Sequence, residues 1–240
     1  MLKESTIHDK VYLLCDCNNF FVSCEKLFRP DLKNRPVAVL SNNDGVIISR
    51  SYETKALNIA MGTPVFKIQK EIAIHKITTF SSNFSLYLDI SNRVMNTLEE
   101  FCKDIEVYSV DEAFLCFENI DEKTAIEYAY ILKNTIATKI GIPIGVGIAK
   151  TKTLAKLANH FAKKNQKITG GVYSILNNAK RQKLLIDNPI EEIWGVGNKM
   201  REHLTEDGFV IAFDLSKANV SLMTKKNSLY WQKLSKSLIT

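Results

Sequence analysis

The stretch Ile105-Glu106-Val107-Tyr108-Ser109-Val110-Asp111-Glu112-Ala113-Phe114-Leu115-Cys116-Phe117 holds two β-prone runs, Ile105 to Val110 and Ala113 to Phe117, on either side of two acids. That pattern predicts a tight strand-to-strand connection carrying carboxylates. Upstream, Leu86, Ile90, Val94, Leu98 and Phe101 fall at helical spacing over 85–102, with Ser85 available as a cap. Downstream, a helix is predicted at about 122–139 and a central strand at Ile144-Gly145-Val146-Gly147-Ile148-Ala149, whose glycines permit close backbone or ligand approach. A helix follows from Thr151 to Lys164. Near the start, Val11-Tyr12-Leu13-Leu14-Cys15-Asp16 is a buried strand presenting Asp16 at its end. The order strand, helix, strand, strand, helix, strand predicts an α+β, ferredoxin-like antiparallel sheet with helices on one face.

Residues 23–84 form a lobe inserted between the first and second helices. Within it, Pro36 to Leu40 reads as a strand, Ser41-Asn42-Asn43-Asp44-Gly45 as a turn and Val46-Ile47-Ile48 as a second strand before a helix near 51–58. After about residue 175 the character is helical, and Ile193-Trp194-Gly195-Val196-Gly197 stands between two helical segments.

The 240 residues, at about 150 per domain, allow one large domain or two to three small subdomains. Hydrophobic residues at 45% and charged residues at 24% match an ordinary globular chain, which excludes disorder as the main state. The first ten residues lack the apolar core of a signal peptide and no run reaches membrane-spanning length, so the expected location is the cytoplasm. Five cysteines without a CxxC pair read as reduced, buried thiols. Residues 150–240 hold 16 Lys+Arg against 7 Asp+Glu, a balance of +9, whereas residues 1–149 carry 16 − 19 = −3. A basic part beside an acidic part suits a polyanion surface next to a metal site, and suits a solvated lysine face equally.

Asp16, Asp111 and Glu112 are distant in sequence and neighbours in the predicted sheet. Such a cluster self-repels unless cations fill it, and two Mg²⁺ ions on carboxylates are a device for phosphoryl or nucleotidyl transfer. Each acid taken singly is also an ordinary turn residue. In the helix after the glycines, Leu154, Leu157, Ala158 and Phe161 form the packing face, with Lys152, Lys156, Asn159 and Lys163 opposite. The lysines either track phosphates or form a solvated face. Trp194-Gly195-Val196-Gly197 resembles the hairpin of a helix-hairpin-helix element, where backbone N–H groups meet a DNA phosphate, and is otherwise a plain turn.

Taken in order, Asp16-Cys17-Asn18-Asn19-Phe20-Phe21, Ser41 to Gly45, Ser51-Tyr52-Glu53-Thr54-Lys55-Ala56-Leu57, Ser109 to Ala113 and Gly147 to Lys156 resemble the Y-family translesion DNA polymerases. The likeness runs from about Tyr12 to about Met223. It implies a palm (1–22 and 85–175), small fingers (23–84) and a helical thumb (176–240) holding the hairpin element. Asp16, Asp111 and Glu112 match the family's catalytic and metal-binding carboxylates, with the carbonyl of Cys17 assisting one of two Mg²⁺ ions.

Tyr52, Lys55 and Lys163 match triphosphate-holding positions, and Phe20 and Phe21 offer backbone N–H groups to the same phosphates. Phe21 falls at the steric gate. Lys152, Lys156, Gly195 and Gly197 are the candidate DNA contacts. Ser41, Ser49 and Ser51 would leave the templating base loosely enclosed.

The resemblance implies error-prone synthesis past damaged bases in the SOS response, with primer–template DNA and deoxynucleoside triphosphates as substrates and UmuD and RecA as partners. The family's little-finger domain and clamp-binding tail are not among these residues, and the segment Thr224 to Thr240 departs from the thumb pattern. Weak, distributive synthesis is therefore expected. A DNA-binding or UmuD-binding remnant without synthesis, and a palm-fold nucleotidyl cyclase, are the competing readings.

Overall fold

The computed structural model describes residues 9–218 and 233–239. The elements run β1 (Lys10–Cys17), α1 (Phe20–Leu27), β2 (Val37–Leu40), β3 (Ile47–Arg50), α2 (Tyr52–Ala56), α3 (Gln69–His75), β4 (Thr78–Ser81), α4 (Phe84–Glu99), β5 (Ile105–Val107) and β6 (Glu112–Glu118). They continue with α5 (Glu122–Lys139), β7 (Ile144–Ala149), α6 (Lys152–Lys164), α7 (Gln166–Thr169), β8 (Val172–Ser174), α8 (Asn178–Asp187), α9 (Asn198–Glu206) and α10 (Ala212–Lys217). Residues 219–232, which include part of the departing C-terminal segment, lie outside the described residues.

The main sheet has the order β5-β6-β1-β7-β8. β1 is antiparallel to both β6 and β7, and β5 to β6, which is the ferredoxin-like arrangement expected from the element order. β8 extends it as a parallel edge strand beside β7, too short at three residues to stand out from its flanks in the sequence. The inserted lobe is a separate sheet, β3-β2-β4, with its own small core of Ala38, Leu40, Ile47, Ile59, Ile68 and Ile77.

The sheet is covered on both faces, which corrects the expectation of helices on one. Side chains alternate along a strand. Leu13, Cys15 and Cys17 of β1 join Val146 and Ile148 in a core with Tyr87, Ile90 and Val94 of α4 and Ala129, Leu132 and Ile136 of α5. Leu14 and Phe114 face the other way, into a second core with Leu154, Leu157 and Ala158 of α6 and with Leu184, Ile193, Leu204 and Leu215 beyond. This second core binds the helices after residue 175 to the sheet. α6 comes close because β7 has no side chains on that face at Gly145 and Gly147. A Cβ at Gly147 would lie 2.1 Å from the Ala155 carbonyl oxygen and 2.3 Å from the Asn159 backbone nitrogen.

Asn159 belongs to this contact and not to an outer polar face. It is 2% exposed, and its Nδ2 donates to the carbonyls of Leu14 (3.2 Å) and Gly145 (3.0 Å), tying α6 to two adjacent strands. Asn159→Ala strands two carbonyls in a dry layer and is expected to cost about 1–3 kcal/mol, read as a lowered urea midpoint.

Caps set the helix starts. Asn83, not Ser85, caps α4 by accepting from the Leu86 N–H (3.1 Å), and Thr151 caps α6 by accepting from Leu154 (3.2 Å). All five cysteines are free thiols and four are buried, as their pattern predicted. Among the described residues no helix is long and apolar enough to cross a membrane.

Candidate active site

The antiparallel register sets Asp16 of β1 directly opposite Glu112 of β6 and opposite Gly145 of β7. Both acidic side chains therefore leave the sheet on the face that α6 covers. The backbone N–H of Cys17 donates to the carbonyl of Asp111 (2.8 Å), which anchors the β5–β6 connection against β1. Asp111 is itself oriented by Ser109, whose hydroxyl donates to its Oδ1 at 2.6 Å. The sheet thus brings the three predicted carboxylates together where the end of β1 meets the start of β6.

Two of them carry a lysine counter-ion from α6. Lys163 pairs with Asp16, and Lys156 places its Nζ 2.6 and 2.9 Å from the two Glu112 carboxylate oxygens. Lys152 pairs likewise with Glu106 on β5. The stripe assigned to the outer face of α6 is thus turned toward strands β5, β6 and β1, each of which offers it one carboxylate. The acidic side chains of Asp16 and Glu112 are only 14% and 15% exposed. Burial pushes the Asp16 carboxyl up to about 7, Lys163 pulls against that rise, and Glu112 and Asp111 add to it. With lysines occupying the charge, no three His, Cys, Asp or Glu side chains are set to hold a metal ion among the described residues.

Asp16 and Asp111, but not Glu112, open into a cleft of about 290 Å³ whose lining also includes Cys17 and Lys163 from the main sheet side, Asn19, Phe20 and Phe21 from around α1, and Ser49, Arg50, Lys55 and Met61 from the lobe. Beside it, sharing Asn19, Lys55 and Lys163, lies a second space of about 470 Å³ that adds Tyr52, His160 and Lys164. Tyr52 and Lys55 reach it because Ser51 caps α2 by accepting from Thr54 (3.2 Å), which aims the first turn of that helix at the sheet. Lys55 donates to Asn19 and lies over the Tyr52 ring. Burial lowers the Lys55 pKa, and Arg50 and Lys163 nearby lower it further, a crowding of cations that suits an anionic occupant.

Phe21 forms part of the cleft wall and does not move freely. Its ring stacks on Tyr87 (4.5 Å, 18°) and meets Phe84 edge-on (6.0 Å), while the Tyr87 hydroxyl donates to Glu25 at 2.7 Å. Of the three serines expected around the cleft, only Ser49 reaches it. Ser51 is buried as a helix cap and Ser41 turns to Asn43 within its own loop. Arg50, Met61 and Asn19 were not anticipated. Strand alternation placed Arg50 on the same side as Ile48, which was the one available signal.

Lys152 and Lys156 are engaged by carboxylates, and Gly195 and Gly197 stand apart from the cleft at the entrance to α9. Gly195 adopts φ +95°, which favours glycine, whereas Gly197 is extended at φ −84° with open space where a Cβ would sit.

Residues 15–160, which contain all three carboxylates, match the family model described as impB/mucB/samB. The chain belongs to the impB/mucB/samB family. It is 44% identical over 216 residues to Protein UmuC of Salmonella typhimurium, and 40% identical over 216 residues to Protein MucB of Escherichia coli. Each of these alignments covers 90% of this chain and 51% of the relative, so the chain spans about half the length of the curated relatives it matches.

Among solved structures, the insertion ternary complex of Dbh DNA polymerase superposes with a TM-score of 0.78 at 28% identity, covering 96% of this chain and 68% of that one. DinB from Sulfolobus solfataricus gives 0.75 at 28% identity, with 94% and 67% coverage. The likeness to Y-family polymerases read from the ordered motifs, and the α+β fold it implied, are both borne out for this member of the impB/mucB/samB family.

Proposed function

We propose that this chain carries the catalytic core of a template-directed DNA polymerase that copies past damaged bases. One observation carries the reading. Asp16 and Asp111 line a cleft whose far wall is the cation-bearing lobe, and Glu112 stands directly opposite Asp16 on the adjacent strand. In this reading residues 1–22 and 85–175 are the palm, 23–84 the fingers and the part from 176 onward the thumb.

The donor types suit magnesium, which prefers oxygen: Asp16, Glu112 and Asp111 are neighbours, and Lys163 and Lys156 would have to leave Asp16 and Glu112 to make room for it. Asp16, Asp111, Glu112 and the carbonyl of Cys17 would hold two such ions, which when bound lower the pKa of an attacking hydroxyl and neutralise a leaving pyrophosphate. The chain's own groups do the rest. Lys55, Lys163 and Tyr52 grip and orient the triphosphate at the shared mouth of the two spaces, with charge-assisted contacts that strengthen as negative charge develops. The side chain of the N-cap residue Asn19 makes no hydrogen bond to the helix and Ser49 accepts only from Val22 (3.4 Å), which leaves the N–H groups of Phe20 and Phe21 to the same phosphates. Gly197, with open space before it, lets a DNA phosphate approach the start of α9. Lys152 and Lys156 reach DNA only by leaving their carboxylates. UmuD and RecA are the partners this reading carries, tested by whether either stimulates extension.

Primer extension by the 240-residue chain with Mg²⁺ and four deoxynucleotides, on plain and abasic templates, is the test. Extension that disappears in Asp111→Ala supports the reading. Binding of primer–template without any extension favours the non-synthesising alternative.

Phe21, braced by Tyr87 and Phe84, is the wall that leaves no space for a ribose 2′-hydroxyl. Phe21→Ala is expected to raise ribonucleotide incorporation by about a hundredfold relative to deoxynucleotide, as loss of a steric clash worth about 3 kcal/mol would give. A variant that still rejects ribonucleotides removes Phe21 from this role.

A further inference from the structure

Lys156 is held on Glu112 by more than charge. Its Nζ lies 4.9 Å from the Tyr108 ring centroid and 5.5 Å from that of Trp194. The two rings meet edge-on at 5.1 Å, and the Trp194 Nε1 donates to the Tyr108 hydroxyl at 3.2 Å. Trp194 in turn stacks on Phe114 of β6 (5.9 Å, 27°), two residues from Glu112 and on the same face of that strand. An ammonium between two aromatic faces is favoured electrostatically by both, and more so where water is partly excluded. Lys156 is 29% exposed and Glu112 15%, so this box is half dry.

The box joins three parts of the chain far apart in sequence. Tyr108 belongs to the connection between β5 and β6, Lys156 to α6, and Trp194 to the segment that begins the approach to α9. Tyr108 is 45% exposed, while Trp194, partly buried, packs against the second core through Phe114.

We propose that Tyr108 and Trp194 are positioning residues that hold Lys156 as an internal counter-ion on Glu112, so that the lysine competes with a divalent cation for that carboxylate. This rests on Glu112 being a metal ligand, as argued above. A carboxylate whose two oxygens both accept from one ammonium offers neither to an ion at full strength. Loading the site therefore displaces Lys156. Loosening the aromatic box makes displacement easier, and the segment bearing Trp194 thereby sets the ion affinity of a site on another part of the chain.

The measurement is Mn²⁺ binding to the nucleotide-free 240-residue chain, followed by the electron-paramagnetic-resonance signal of the free ion, with circular dichroism confirming that each variant is folded. Lys156→Met is expected to bind Mn²⁺ about tenfold more tightly, Lys156→Arg to remain near the parent, and Trp194→Ala and Tyr108→Ala to tighten binding by about threefold. Trp194→Phe, which keeps a ring face, is expected to fall between the parent and Trp194→Ala. A purely structural role for Trp194 would weaken ion binding or leave it alone. Unchanged or weaker Mn²⁺ affinity in Lys156→Met, while Glu112→Ala still loses ions, overturns the competition. Ion binding that survives Glu112→Ala overturns the ligand role of Glu112 and the inference with it.

Discussion

Gly147→Ala is expected to destabilise the protein by about 3–5 kcal/mol, at the upper end of what a single substitution costs. The added methyl carbon has nowhere to go. Its nearest neighbours are backbone atoms of α6 at 2.1 and 2.3 Å, and the Asn159 Cβ at 2.8 Å, so no side-chain rotation relieves the clash. α6 must lift from β7, and the lift opens the layer between Leu14 and Phe114 on the sheet and Leu154, Leu157 and Ala158 on the helix. Overpacking that forces backbone apart sits at the upper end of single-substitution costs, against a total stability of about 5–15 kcal/mol. Gly197→Ala supplies the contrast, since φ is ordinary there and no atom lies within 4 Å of the new carbon. Urea unfolding followed by circular dichroism should show a change of less than about 0.5 kcal/mol for Gly197→Ala. A Gly147→Ala protein with the parent's midpoint would mean that α6 does not sit where its contacts place it.

Asp16→Asn is expected to separate catalysis from stability. Under the proposed function, Asp16→Asn removes one carboxylate from the ion-binding set and is expected to cost several kcal/mol of transition-state stabilisation, which at about 1.36 kcal/mol per decade is a drop of about a thousandfold in primer extension. Stability moves differently. The folded-state pKa of Asp16 lies at about 7, above its ordinary value of 3.8, because burial outweighs the help from Lys163. Between those two values the folded protein holds a proton that the unfolded chain has released. Metal-free protein therefore loses stability as pH rises from about 4 to about 7, with a slope of up to about 1.4 kcal/mol per pH unit from this group, and the loss levels off above about 7. Asparagine does not titrate, so the variant should lack that slope. Unfolding midpoints taken in chelator across this range decide it: a parent and an Asp16→Asn protein with the same pH dependence would contradict a raised Asp16.

Much of the fold was legible because its signals are local. The helix at 122–139 was anticipated at the ends it has, since Asp121 accepts from Thr124 at one end and Gly141 turns the chain at the other. The paired runs around Asp111 and Glu112 announced a hairpin, and the acids at its turn announced a site. Less legible was what lies across from each element. Asn159 shares a helical stripe with Lys152, Lys156 and Lys163, and spacing alone sent all four to the outside. The structure turns that stripe inward, because three strands each present it a carboxylate and because Asn159 finds two carbonyls over the gap left by Gly145 and Gly147.

By itself the sequence left α3, β4 and β8 unread but determined the strands and helices of the ferredoxin-like sheet and the inserted lobe, and it singled out the three candidate carboxylates. These follow from periods of about 2 and 3.6 residues and from acids at strand ends, all of which are carried within a few neighbours. Only the tertiary structure decided that α6 lies on the face opposite α4 and α5, that its lysines hold Asp16 and Glu112, and that Trp194 meets Lys156. Those outcomes depend on which residues come together from distant parts of the chain, where a missing Cβ or a shared charge settles the contact, and no local period encodes them.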